Sequence, residues 1–138
     1  MKLATDTITV FNKRVNSTTG GYTWTPTTIN GVSWYKSDAQ TVDPQGGFIA
    51  ARKITIRIPT TANANGKTYT DPLSYKGAQS VTDLWTLDGG DIIIKGTATG
   101  DTWTPKTLAQ TYADICTVMA VTDNRRAPRE PHFKVVGA

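Results

Sequence analysis

The chain has 138 residues, 38% of them hydrophobic and 19% charged, which suits one domain with its own core and argues against two independent ones. Its formal charge of +4 is the balance of fifteen Lys and Arg residues, spread without a long run, against eleven Asp and Glu. That balance permits an acidic or nucleic-acid partner without demanding one. Threonine supplies 25 positions and Glu130 is the only glutamate; a chain rich in β-branched residues and poor in surface-helix formers reads as all-β.

In chain order, Thr5 to Val10 alternates polar and apolar residues and runs on into Phe11. The Asn16 to Gly21 turn and Tyr22-Thr23-Trp24-Thr25 then complete a predicted hairpin. Ile29 to Tyr35 is a further short strand, with Asn30-Gly31 as a turn or bulge before its apolar part. Lys36 to Gly47, almost devoid of apolar residues and holding Asp43-Pro44-Gln45-Gly46-Gly47, reads as a long exposed polar loop. Phe48 to Pro59 places Ile54, Ile56 and Ile58 on one face and Lys53, Thr55 and Arg57 on the other, the strongest strand signal in the chain.

Thr60 to Lys67 is a turn region, and Asp71 to Thr82 is irregular. Leu84 to Leu87 and Ile92 to Lys95 flank Asp88-Gly89-Gly90-Asp91, the pattern of a tight hairpin, and three consecutive isoleucines imply a strand buried on both faces. One short helix is expected near 105–112, with Thr104 as N-cap and Pro105 at its first position. Ile115 to Val121 and His132 to Val136 close the set. The sum is about seven to eight strands and one helix without βαβ alternation, hence one β-barrel or sandwich domain over 1–138. A barrel is preferred because closure removes exposed edges.

Chemistry is sparse. His132 and Cys116 are the only histidine and cysteine, too few for a triad or an ordinary zinc site, and Cys116 sits in an apolar run as a small buried hydrophobe. His132 reads as a solvent-facing strand residue. Asp88 and Asp91 fit turn chemistry better than paired catalysis, and the three Gly-Gly pairs lie in turns without the helix start that phosphate loops need. The expectation is a protein without catalytic residues, cofactor or metal. No span reaches membrane length, and Met1 to Val10 lacks the apolar segment of a signal peptide. Tyr22, Trp24, Trp34, Tyr35, Trp85 and Trp103 suit packing, with an OB-like nucleic-acid or carbohydrate-binding module as the alternative. Arg125, Arg126, Arg129 and Lys134 form the densest positive cluster, able to pair with acidic surfaces or phosphates.

Ile-Thr-Val-Phe-Asn-Lys-Arg at 8–14, Gly-Val-Ser-Trp-Tyr at 31–35, Ile-Thr-Ile-Arg-Ile-Pro at 54–59, Gly-Asp-Ile-Ile-Ile-Lys-Gly at 90–96 and Asp-Asn-Arg-Arg at 123–126 together resemble a family of small siphophage and prophage head-tail module proteins. Their order is similar to that of phage head-closure, or stopper, proteins. The resemblance implies a small SH3-like barrel that forms a homo-oligomeric ring in the virion neck, made in the host cytoplasm. Implied partners are further copies of itself, the portal or adaptor and tail proteins, and DNA in the channel. It makes Lys36, Asp38, Asp43 and Gln45 of the polar loop, with Arg125, Arg126, Arg129 and Lys134, the candidate assembly residues. The extra length around Thr60 to Thr82 leaves tail-terminator and other neck roles open.

Overall fold

The computed structural model describes residues 4–15, 18, 20–42, 48–98 and 103–138, with the backbone alone described at 37–42 and 48–52. Its elements are β1 (Asp6–Val15), β2 (Tyr22–Val42), β3 (Phe48–Pro59), β4 (Thr68–Tyr69), α1 (Pro72–Gly77), β5 (Leu84–Trp85), β6 (Ile92–Lys95), α2 (Pro105–Thr111), β7 (Ile115–Asn124) and β8 (His132–Gly137). Six strands close a barrel in the order β1-β2-β3-β8-β7-β6, every neighbouring pair antiparallel, and β4 and β5 form a small parallel pair beside it. The all-β class and the short helix after Thr104 stand as expected.

Two apolar layers explain why β1 and β6 are buried on both faces. Ile8, Val10, Ile29, Val32, Ile54, Ile56, Ile58, Ile93, Val118 and Val135 fill the barrel. Outside it, Phe11, Ile92, Ile94 and Ala98 pack under Leu108 of α2. Successive strand residues point to opposite faces, so the Ile92-Ile93-Ile94 run serves both layers. Full burial of each such side chain stabilises the fold by roughly 1.5–3 kcal/mol.

Four local expectations change. The separate strands at 22–25 and 29–35 are one strand, β2, with a register shift against β1 at Asp6/Thr7 and Gly31 at φ +85°. Glycine tolerates that backbone without penalty, so the bend is taken inside a continuous strand. Lys36 to Val42 is not loop: it continues β2 and pairs with Phe48 to Ile54 of β3. Backbone pairing needs no apolar alternation where the ladder lies away from the core, so the polar composition misled the reading. Asp43 and Gln45 lie outside the described residues.

The hairpin expected across Asp88 to Asp91 does not form, since β5 pairs with β4 and β6 pairs with β1 and β7. Trp85 and Leu87 enter the barrel core instead. A second helix, α1, also appears within the stretch read as irregular; Asp71 caps it by accepting from the Ser74 amide at 2.9 Å, and Pro72 opens it. The segment from Thr60 to Asp91 thereby closes one region of the barrel, anchored by the Asn30–Asn63 bridge and by Lys67 Nζ donating to the Pro26 carbonyl at 2.8 Å.

Candidate functional site

The alternation of β3 sends Ile54, Ile56 and Ile58 inward, and so sends Lys53, Thr55 and Arg57 outward. Register then decides what meets them. Arg57 stands directly opposite Lys134 of β8, flanked by Ser33 of β2 and Thr122 of β7. The next rung carries Tyr35, Thr55, Val136 and Ala120. Tyr35 is 61% exposed, Lys53 and Thr122 are exposed, and Arg57 and Lys134 are half-buried. No Asp or Glu occupies an outward position of this four-strand face among the described residues. Arg57 and Lys134 have no ion-pair partner among them either.

The expected basic cluster is divided by the fold. Lys134 belongs to the face, while Arg126 and Arg129 are exposed in the turn between β7 and β8 at its end. Arg125 is drawn away: its guanidinium binds the Asp123 carboxylate at 2.7 to 3.1 Å and lies 5.0 Å from the Phe133 ring centroid and 5.2 Å from that of Tyr69. These hydrogen bonds hold Asp123 below the usual carboxylate range. Lys36 is exposed opposite Ile54, at the base of the paired segment that continues through Asp38. Sequence reading missed Arg57, Lys53 and Tyr35 as a group because strand alternation places them on one face but not beside Lys134; only register does that.

Two of the clefts among the described residues lie elsewhere. One, of about 310 Å³, is lined by Lys13, Arg14, Tyr22, Lys76 and Asp88. Its charges are largely engaged, with Lys76 3.3 Å from Asp88, Arg14 bonded to the Ala78 carbonyl, and Lys13 Nζ 4.0 Å from the Tyr22 centroid. Beneath it Asp91 is buried and accepts from the Lys13 amide, the Asn12 side chain and the Asp88 amide at 2.9 to 3.0 Å. Burial pushes its carboxyl up to about 6 despite these donors. Its local bond to Asp88 is turn chemistry, but its bonds to β1 tie two distant elements together. The other cleft, of about 250 Å³, is lined by Tyr69, Trp85, Phe133 and Arg125, with Tyr69 and Trp85 edge to face at 5.1 Å.

Cys116 is buried and its thiol is pushed up to about 12 by burial, leaving no thiolate near neutrality. His132 takes an outward position of β8 and is half-buried, with Nδ1 2.8 Å from the Glu130 carbonyl and Nε2 3.3 Å from the Asn124 amide. No group of three or more His, Cys, Asp and Glu residues is placed to hold a metal ion among the described residues. No helix there is long and apolar enough to cross a membrane. What the sheet face can do is attract anions.

No curated protein and no solved structure matches the chain. A family model described as a family of unknown function, DUF6751, matches residues 3–138. That match runs through every strand of the barrel and the whole basic face, and the chain therefore belongs to the DUF6751 family.

Proposed function

We propose that this chain is a non-enzymatic structural protein of the head-to-tail connector of a long-tailed phage, assembling as a ring in the neck as a head-closure protein. The observation that carries this reading is the two-stranded ribbon formed by residues 37–42 of β2 and 48–53 of β3. Those residues pair with each other, whereas the pairing of β2 with β1 ends at Val32, opposite Asp6, and the pairing of β3 with β8 ends at Ile54, opposite Gly137. The ribbon therefore extends beyond the closed barrel by about six residues, or roughly 20 Å.

A two-stranded ribbon is marginal by itself and offers two rows of backbone donors and acceptors. Strand addition from neighbouring copies would satisfy them, and repetition around an axis would give a ring. Lys36 and Asp38 lie on this ribbon or at its base, and Arg126 and Arg129 lie in a turn free to meet a neighbouring ring. Replacing residues 38–52 with Asn-Gly joins the cross-strand partners Ser37 and Lys53 by a two-residue turn. The expected result is a folded monomer where the full chain forms rings in negative-stain images. Absence of the chain from purified virions would overturn the neck assignment, and an unaltered ring after ribbon removal would overturn the assembly mode.

A further inference from the structure

We infer that the outward face of β3 and β8, centred on Arg57 and Lys134, is a binding surface for the phosphodiester backbone of nucleic acid. The inference stands apart from the neck assignment, since it rests on the charge and register of one sheet.

Directly opposite like charges in an antiparallel pair destabilise a sheet. Arg57 and Lys134 are such a pair, neither meets an acid among the described residues, and Lys53 adds a third cation along the same strand. The arrangement disfavours the isolated fold and becomes favourable once an anion bridges the two cations. Ser33 and Thr122 flank the pair with hydroxyl donors, and lysine, arginine, serine and threonine are the side chains that hold phosphate oxygens in nucleic-acid complexes.

An acidic protein is the weaker fit. Protein interfaces gather aromatic and apolar groups at their centre and are depleted in lysine, whereas nucleic-acid interfaces are polar and strongly positive. Here the central rung is Arg57 and Lys134, and the exposed Tyr35 stands one rung away. The surface is about 14 Å wide, from four strands at roughly 4.8 Å spacing.

Fluorescence anisotropy with a labelled mixed-sequence duplex of about 20 base pairs tests the inference, because three phosphate contacts give a salt slope near −2.7 and about a 40-fold loss of affinity between 50 and 200 mM salt. Arg57→Gln and Lys134→Gln are each expected to weaken binding and reduce the slope by about one. The melting temperature of each should stay level or rise, because a repulsion is removed. Lys53→Gln, at an exposed position, provides a second variant with the same expected slope change. Lys106→Gln on α2 removes an equal charge from another part of the surface and should leave binding unchanged. Absence of binding at 50 mM salt, or unchanged binding in all three face variants, overturns the assignment. Labelled poly-glutamate binding as tightly as the duplex also overturns it, and makes the face a site for acidic protein.

Discussion

Asp91 shows how one side chain can hold a fold together and make it sensitive to pH. Its carboxyl is ordinary in the unfolded chain at 3.8 and raised to about 6 in the fold by burial. The native state therefore binds the proton more tightly, so this contribution to stability is full below about pH 4 and is lost as pH rises through 6. Its ceiling is about 3 kcal/mol, from roughly two pKa units. A carbonyl-carbon NMR titration should place the Asp91 midpoint near pH 6, and Asp91→Asn should flatten the corresponding part of the stability profile. Gly137 carries a different constraint. A Cβ there would lie 2.6 Å from the Thr117 carbonyl oxygen and 3.0 Å from Cys116 Sγ. Gly137→Ala is expected to destabilise by about 1–3 kcal/mol, as overpacking does, read as a lower urea midpoint. The buried state of Cys116 was legible from its apolar neighbours. The role of Asp91 was not, because Asn12 and Lys13 reach it from almost eighty positions away.

At the scale of elements, legibility followed the apolar pattern closely. β3 and α2 were readable because an isoleucine at every second position and a Thr-Pro start are local signals. Thr104 Oγ1 accepts from the Thr107 amide at 3.3 Å, and Thr107 Oγ1 accepts from the Thr104 amide at 2.9 Å. Thr104→Ala should therefore cost about 1 kcal/mol. Leu108→Ala should cost more, about 2–5 kcal/mol, because the fully buried Leu108 joins α2 to Phe11 and Ile92; chemical denaturation of the two variants gives the order. The outer part of β2 was misread for the opposite reason, since no core face imposes alternation there. The bulge between Val118 and Ala120 likewise left no local mark, yet it brings Met119 to 69% exposure in the middle of an apolar run.

Across the whole molecule, the segment from Thr60 to Asp91 decides whether the barrel behaves as one cooperative unit. Trp85 and Leu87 sit in the barrel core, and Asn12 bonds the Thr86 carbonyl at 2.6 Å and accepts from its amide at 3.2 Å. Amide exchange should therefore find the Thr68 and Thr70 amides, bonded to Asp83 and Trp85, opening together with those of β8. Trp85→Ala should collapse protection in both places, with a loss of about 3–5 kcal/mol. The overall class was visible in composition because threonine and isoleucine outnumber alanine, leucine and glutamate. The closure order was not, since strand pairing at long separation leaves no local trace.

Closure order also sets a timetable for a chain made from its N-terminus. β1 finds β2 at once, since only six residues separate them in sequence, but its other edge waits for Ile92 to Lys95, which arrive more than seventy residues later. During synthesis the first strand thus presents an open edge and the apolar Ile8, Val10 and Phe11 to every other emerging copy. Lowering the density of ribosomes on the message should raise the soluble yield, because crowded nascent chains meet at this edge before β6 arrives to cover it.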